Sequence, residues 1–163
     1  MTTQDVLTEL KALAIDSLRQ QNIKRGASDN HYGVKCGDIR KLSKQIGTDH
    51  QLGLSLWETG NDEARLLATL IIIPADLSIE ELDDMVKSMT YPQLADWVNA
   101  YVIKYHHDKD VLREKWMVSD NAMAARCGWD LTSKRISKHT SDNERSALLD
   151  RLEIEMPTAD PVT

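Results

Sequence analysis

The segment Tyr91 to Tyr105, YPQLADWVNAYVIKY, holds the polar side chains of this sequence that are best placed for chemistry. Asp96, Trp97 and Asn99 follow one another closely there. A carboxylate such as Asp96 can oppose a developing positive charge, whereas the amide of Asn99 can hydrogen-bond water but carries no charge. The alternative for Asn99 is a solvated or capping amide on a surface turn, because polar residues on helix flanks are usually solvated.

The spacing of this segment predicts a single helix that positions those side chains. Pro92 suits a first helical turn, where its missing N–H costs nothing. One apolar face is predicted from the residues that recur at helical spacing, Leu94, Val98, Tyr101, Val102 and Tyr105. Trp97 lies beside that face and is predicted to pack in the core. Ala95 and Asn99 are one turn apart on its flank.

Other motifs that could carry chemistry are weak or missing. The sequence has no GxSxG, P-loop, dinucleotide fingerprint or HExxH motif. Cys36 and Cys127 form neither a CxxC motif nor a Cys/His cluster, so neither zinc nor a disulfide is expected. His106 and His107 are adjacent, and their side chains would point about 100° apart on a helix. No metal and no cofactor are therefore predicted.

The charge pattern bears on possible partners. The net charge of −6 argues against binding of nucleic acid by the chain as a whole. The acidic residues are, however, concentrated in residues 61–90 and 140–163. Between them, the stretch from Lys104 to Lys138 could form a basic surface if folding gathers its cations. Its basic side chains include Arg113, Lys115, Arg126, Lys134, Arg135 and His139. A solvated surface of mixed charge is the alternative.

Length and composition predict one globular domain over residues 1–155, followed by a flexible tail over 156–163. Leu, Ile, Val, Met and four Trp must fill the core, since the sequence has no Phe. The N-terminus is amphipathic from the start, so no signal peptide is expected. The longest apolar run, Leu66 to Pro74, is too short to cross a bilayer. A cytoplasmic monomer without membrane contact is the expectation.

About nine helices are predicted, with almost no strand signal. The boundaries depend on Gly and Pro stops, on Thr48 as an N-cap, and on two capping boxes, Ser78 with Glu81 and Ser141 with Glu144. The predicted helices cover residues 3–21, 37–46, 48–59, 61–73, 79–89, 91–105, 108–117, 121–131 and 142–155. The segment from Asn22 to Lys35 is predicted to be a loop.

Short connections between these helices favour antiparallel pairs. Pairs that recur about every thirty to forty residues are typical of a degenerate HEAT-like or ARM-type α-solenoid, although the residue identities show no clean repeat. The predicted fold is therefore all-α and curved, with a concave face on which an extended partner could lie. An ordinary helical bundle is the alternative.

Residues 33–72, GVKCGDIRKLSKQIGTDHQLGLSLWETGNDEARLLATLII, resemble the DNA alkylation repair family, the AlkD-like HEAT-repeat DNA glycosylases. The resemblance continues through ADWVNAYV, residues 95–102, and DNAMAARCGW, residues 120–129, to about Leu152. The resemblance implies a protein that holds duplex DNA against a basic concave surface. It also implies that this protein releases alkylated purines by cleaving the N-glycosidic bond. It implies no metal or redox cofactor. An alkylated purine is already cationic, so electrostatic stabilisation of an oxocarbenium-like state would suffice.

The family's functional residues match this sequence only in part. Arg126 falls on the arginine that holds the DNA backbone, although a salt bridge to Asp120 or Asp130 is the alternative. Asn99 falls on the catalytic aspartate and Ala95 on a tryptophan one turn earlier. A further tryptophan of the family lies beyond the end of this sequence, so a short concave wall is expected.

Asp96, together with Trp97 beside it, could substitute for the missing carboxylate. The alternative for Asp96 is an acid in the first turn that complements the helix dipole. The other candidate DNA contacts are cations whose clustering on the concave side would indicate DNA binding, and an aromatic residue close to Arg126. They are Lys35, Arg40, Lys104, Lys134, Arg135 and Trp129. Two functions remain open. One is a divergent alkylpurine-DNA glycosylase, and the other is a catalytically inactive module that binds DNA or protein.

Overall fold

The structure, a computed structural model, describes residues 1–139 and 141–155, with the side chains of 137–139 excepted. These residues form ten α-helices and no strand, which confirms the all-α prediction. The helices are α1 Thr3–Ala12, α2 Asp16–Ile23, α3 Cys36–Ile46, α4 His50–Glu58, α5 Asp62–Ile71, α6 Ile79–Lys87, α7 Pro92–Tyr101, α8 Lys109–Met117, α9 Ala122–His139 and α10 Asp142–Glu155. The predicted flexible tail over 156–163 lies outside the described residues.

Side-chain caps set several of the helix starts. The predicted capping box of Ser78 and Glu81 opens α6, since each side chain accepts a backbone hydrogen bond from the other residue. The same pattern joins Ser141 and Glu144 before α10. The predicted N-cap at Thr48 is wrong, because Asp49 caps α4 by accepting from the Leu52 N–H at 3.0 Å.

The predicted helix over residues 3–21 is two helices, α1 and α2. The chain leaves α1 at Leu13, which is 41% exposed. At Ile15 the backbone N–H donates to the Gly33 carbonyl oxygen at 3.1 Å. A long-range hydrogen bond thus replaces the helical one, and it ties the start of α2 to the loop before α3.

The helix that carries Asn99 is shorter than predicted, and the helix that carries Arg126 is longer. The segment after α7 turns into a 3-10 helix over Ile103–Tyr105, and Tyr105 is 65% exposed, so its predicted place on the apolar face is wrong. Leu94, Val98 and Val102 are fully buried as predicted. Helix α9 continues past the predicted end at Leu131 to His139.

The helices stack in two layers. Helices α3, α5, α7 and α9 lie side by side in one layer, each in contact with the next, and α4 pairs with α5 as α8 pairs with α9. The turns inside these pairs are short, so the paired helices run antiparallel. Helix α5 forms the centre, with eight of its ten residues buried. No helix of the described residues has both the length and the apolar character needed to cross a bilayer.

Candidate nucleic-acid interface

Asn99 lies in the interior between α7 and α9, with 1% of its surface exposed. Its Nδ2 donates to the Cys127 carbonyl oxygen at 3.0 Å and to Asp130 Oδ2 at 2.8 Å. The interpretation of Asn99 as a solvated surface amide is therefore wrong. Its Oδ1 is buried and has no hydrogen-bond partner in the described part of the chain. The side chain holds two helices together and does not reach solvent.

Ala95, one turn before Asn99, is also in the core, with 1% of its surface exposed. It was predicted to flank the apolar face, where the related family carries a tryptophan. The neighbouring Cys127 is fully buried against it, with its Sγ 3.9 Å from the Ala95 carbonyl oxygen. Burial raises the pKa of the Cys127 thiol to about 12, and the nearby carboxylates of Asp130 and Asp96 raise it further. An indole at Ala95 would have to displace this packing.

Asp96 stands on the solvent side of α7 and pairs with Arg126 of α9. Both the Nη2 and Nε atoms of Arg126 donate to Asp96 Oδ1, at 2.9 and 3.1 Å. The salt-bridge alternative for Arg126 therefore describes its contact in the structure, with Asp96 as a partner that the sequence did not suggest. Asp96 also lies outside the first turn of α7, so it is no first-turn acid that complements the helix dipole. Its side chain remains 52% exposed.

Arg40 of α3 reaches across to α7. Its guanidinium lies 4.5 Å from the centre of the Trp97 ring, and its Nη2 donates to the Tyr101 hydroxyl at 3.3 Å. Trp97 is 7% exposed, as expected for a core residue, and packs edge-on against Tyr101. Arg40, Asp96, Trp97, Arg126 and Lys134 together define what we call the α3/α7/α9 surface.

The predicted basic stretch does not form a run of unpaired cations. Lys134 pairs with Asp130, and Arg135 pairs with Asp110 of α8 at 2.9 Å. Lys115 pairs with Asp83 at 2.8 Å. Lys104, in the 3-10 turn after α7, lies 5.3 Å from the centre of the Tyr105 ring. The described cations therefore form a surface of mixed charge, and Lys138 and the His139 side chain lie outside the described residues.

Two predicted contacts lie away from the α3/α7/α9 surface. Trp129 of α9 is half-buried, and the Arg151 guanidinium of α10 lies 5.1 Å from the centre of its ring. Lys35 is exposed at the start of α3. The geometry thus brings together Arg40, Trp97 and the Asp96–Arg126 pair, but not Lys35, Lys104 and Arg135.

His106, His107 and Asp108 are close enough in space to be considered as metal ligands. The buried His106 ring uses both nitrogens, since Nδ1 accepts from the Asp108 N–H at 3.1 Å and Nε2 lies 2.9 Å from the Leu77 carbonyl oxygen. A metal ion would have to replace one of these bonds. The ring of His106 stacks on that of His107 and fixes the turn before α8.

A buried polar cluster lies at the start of α5, and no sequence motif predicts it. Glu63 is fully buried and accepts the backbone N–H groups of Tyr32, Gly33 and Val34 at 2.6 to 3.1 Å. Asp62 accepts from Ser28, and His31 lies between the two carboxylates. Their function is to fix the loop before α3.

This loop encloses a pocket of about 250 Å³ between α2 and the starts of α3 and α7. Arg25, Lys35, Cys36 and Tyr91 are among the residues that line it. Burial raises the pKa of Tyr91 to about 12, and the nearby Cys36, Asp62 and Glu63 act in the same direction. No motif marks this site, because its residues come from three separate segments.

Three comparisons with known proteins bear on this arrangement. The family described as DNA alkylation repair enzyme matches residues 6–161. An uncharacterized protein of Listeria innocua is 27% identical over 158 residues, covering 93% of this chain and 69% of the relative. One of Listeria monocytogenes is 27% identical over 144 residues, covering 84% and 64%. The chain therefore spans about two thirds of the length of these relatives.

A solved structure matches the fold with a TM-score of 0.88, at 22% identity, over 100% of this chain and 71% of the other. It is described as a new family of proteins related to the HEAT-like repeat DNA glycosylases, with affinity for branched DNA structures. This likeness confirms the HEAT-like solenoid and excludes the ordinary helical bundle.

Proposed function

The chain belongs to the DNA alkylation repair enzyme family, as its resemblance predicted, and we propose that it is a DNA-binding member that does not cleave the N-glycosidic bond. It would hold duplex or branched DNA on the α3/α7/α9 surface. The affinity for branched DNA reported for the structurally similar family supports the choice of ligand. The geometry around Asn99 supports the absence of catalysis.

The single observation that carries this proposal is the burial of Asn99. A catalytic group at this position would have to face the deoxyribose and oppose its positive charge. The Asn99 amide is 1% exposed, neutral, and bonded through Nδ2 to Cys127 and Asp130. It can neither place a water molecule at the surface nor supply a charge.

Asp96 carries the second candidate function, glycosylase activity, because its carboxylate is half-exposed beside Trp97. In the structure that carboxylate is engaged by Arg126. An arginine in such a pair lowers the negative charge that a cationic sugar would experience. We therefore favour the role of Asp96 as the partner that orients Arg126.

DNA binding would use the cations of the α3/α7/α9 surface. Arg40 is held over Trp97, and Arg126 would exchange Asp96 for a phosphate oxygen. The exchange costs little, because exposed ion pairs contribute only about 0.2–1 kcal/mol. With a net charge of −6 on the chain, only local positive charge favours the complex. Affinity should consequently fall steeply as salt increases.

The test compares the protein with its Asp96→Asn variant on two readouts. Binding to a four-way junction and to a plain duplex is measured by fluorescence anisotropy between about 50 and 200 mM salt. Release of methylpurines from alkylated duplex is measured in parallel. If the proposal holds, Asp96→Asn binds both DNAs about two- to fivefold more tightly, because the negative charge that pairs with Arg126 and repels a phosphate is removed.

The two candidate functions predict opposite outcomes for this variant. Methylpurine release by the unmodified protein that disappears in Asp96→Asn would establish the glycosylase and overturn our proposal. Binding that does not depend on salt, or no binding to either DNA, would reject DNA as the ligand and favour a protein-binding module.

A further inference from the structure

The pocket at the start of α3 adjoins the α3/α7/α9 surface. Gln93 Nε2 donates to Cys36 Sγ at 2.8 Å, and one turn further along both helices Arg40 lies over Trp97. Cys36 and Gln93 both line the pocket. A strand of DNA that contacts Arg40 would therefore pass within one helical turn of the pocket.

Two cations line the pocket, and neither is neutralised. The side chains of Arg25 and Lys35 are exposed and make no ion pair or hydrogen bond with any described residue. By contrast, Arg126 and Lys134 on the neighbouring surface are paired with carboxylates. Arg25 and Lys35 are consequently available to an anion.

The backbone adds positive partial charge at the same place. Helices α3 and α7 start at the pocket, and neither has a side-chain cap. Within the described residues, the N–H groups of Cys36 and Gly37 have no hydrogen-bond partner. Added atoms at Gly37 would meet open space. Free N–H groups at a helix start are well suited to a phosphate.

The interior of the pocket is mainly apolar. Its walls are formed by Leu18, Val34, Leu66 and the Tyr91 side chain. Asn22 also lines it and is only 7% exposed. The Asn22 Nδ2 atom forms a hydrogen bond with His31 Nε2 at 2.9 Å. The Asn22 Oδ1 atom has no hydrogen-bond partner among the described residues and is accessible to solvent. This amide oxygen can accept a hydrogen bond from the edge of a ring that enters the pocket.

We propose that this pocket binds a nucleoside phosphate, with the phosphate at Arg25, Lys35 and the start of α3, and the base against the apolar wall beside Asn22. A volume of about 250 Å³ suits a single base and not a base pair. The buried carboxylates of Asp62 and Glu63 lie behind His31 and fix the orientation, because they repel a phosphate from the inner end.

The nucleoside phosphate could be an unpaired nucleotide of a branched DNA or a free nucleotide. Only the first source rests on the proposed DNA-binding function. An unpaired nucleotide in the pocket would explain a preference for branched DNA without any catalytic step, because a fully paired duplex presents no free base.

Cys36 provides a direct probe of occupancy. Its thiol lines the pocket and is half-buried, whereas Cys127 is fully buried. The rate at which iodoacetamide modifies Cys36 is measured without ligand, with deoxyadenosine monophosphate, with deoxyadenosine, and with inorganic phosphate. We expect the monophosphate to slow the reaction at least fivefold, and more strongly than either part alone. Equal rates in all four conditions would overturn the proposal for free nucleotides.

Variants separate the two sources. Arg25→Ala is compared with Lys24→Ala, an exposed neighbour that does not line the pocket, and with Leu18→Phe, which fills the pocket without altering charge. Each is tested on a duplex with one unpaired nucleotide and on a fully paired duplex of the same length. Arg25→Ala and Leu18→Phe should each reduce the preference for the unpaired nucleotide about tenfold. Lys24→Ala should leave it unchanged.

The outcomes distinguish this inference from the proposed function. If the monophosphate protects Cys36 but no DNA binds, the pocket remains and the DNA-binding function fails. If DNA binds with salt dependence but Arg25→Ala and Lys24→Ala weaken both duplexes equally and nothing protects Cys36, the pocket proposal is overturned. Because Leu18→Phe could disturb folding, its urea unfolding curve is compared with that of the unmodified protein. If the two curves differ, the pocket proposal is judged from Arg25→Ala alone.

Discussion

Asn99 of α7 donates a hydrogen bond from its side-chain Nδ2 to Asp130 Oδ2 of α9 at 2.8 Å, and this partly buried contact joins the two helices that carry Asp96 and Arg126. The position that the resemblance predicts to be catalytic thus makes a contact between two helices. A carboxylate at this position would face the carboxylate of Asp130 at hydrogen-bonding distance.

The variant Asn99→Asp should therefore lose stability. It places two carboxylates in contact and removes the donor to the Cys127 carbonyl oxygen. We expect a loss of about 2–3 kcal/mol in the free energy of unfolding, measured in urea at pH 7. Like-charge repulsion raises the folded pKa of the pair, so the loss should be smaller at pH 4 than at pH 7. The exchanged variant Asn99→Asp with Asp130→Asn should recover the part of the loss that comes from the two facing carboxylates, but not the part from the lost donor to Cys127. No recovery would disprove the pairing.

The features of the fold that depend on local sequence could be predicted. The Ser78–Glu81 capping box and Pro92 fixed the starts of α6 and α7, because cap residues act within one turn. The break between α1 and α2 could not be predicted, since it depends on the bond between Ile15 and Gly33. Likewise, the continuation of α9 through Thr132, a poor helix former, could not be predicted. Thr132 is buried there, and its hydroxyl accepts a hydrogen bond from Arg113 of α8.

The candidate site was predictable in composition but not in geometry. Residue types and the family resemblance identified Asp96, Asn99 and Arg126. Their partners lie about thirty residues away along the chain, so sequence spacing could not show that Asn99 faces Asp130 or that Arg126 faces Asp96. The pocket has no local motif at all, since it joins segments around Asn22, Lys35 and Tyr91.

Asp83 should govern stability in acid. Burial raises its pKa, but hydrogen bonds from Lys115, Lys87 and Trp116 outweigh this effect and lower the pKa from 3.8 to about 2. The carboxylate therefore stabilises the fold fully above pH 3.8, and this contribution is lost as the pH falls through about 2. Asp83→Asn should cost about 2 kcal/mol at pH 6, and the deficit should shrink between pH 4 and pH 2.

The neighbouring Asp84 provides the control for that measurement, because it is exposed on the same helix and its side chain has no hydrogen bond in the described residues. Asp84→Asn should change the free energy of unfolding by less than about 0.5 kcal/mol. Equal effects of the two substitutions at pH 6 would show that net charge, and not the bonds of Asp83, controls stability.

The two cysteines should differ in reactivity. Cys36 is half-buried at the pocket, whereas Cys127 is fully buried and has its pKa raised to about 12 by burial and by Asp130 and Asp96. At pH 8 we expect iodoacetamide to label Cys36 in the folded protein and both thiols in 8 M urea, as measured by peptide mass spectrometry. Labelling of Cys127 at the Cys36 rate without urea would contradict the packing of α9 against α7.

Gly128 should be intolerant of any side chain. A Cβ atom there would lie 2.6 Å from the Met117 backbone nitrogen and 2.8 Å from the Trp116 carbonyl carbon, where α8 crosses α9. Gly128→Ala should therefore reduce the free energy of unfolding by about 2–3 kcal/mol. Gly37→Ala is the matched control, since it has open space and should stabilise α3 by up to about 1 kcal/mol. A neutral or stabilising Gly128→Ala would contradict this helix crossing.

Arg40 should contribute to DNA binding through its position over Trp97. The indole ring and the Tyr101 hydroxyl hold the guanidinium in place, so little side-chain entropy is lost when it meets a phosphate. Arg40→Ala should weaken binding to duplex and junction alike and reduce the salt slope by about 1, as measured by anisotropy titrations. Lys41→Ala, on the next residue, removes a cation that is 78% exposed and paired with Asp38 at 2.9 Å. Because adjacent helical side chains point about 100° apart, Lys41→Ala should change the slope far less. Equal slopes for the two variants would show that DNA does not lie on the α3/α7/α9 surface.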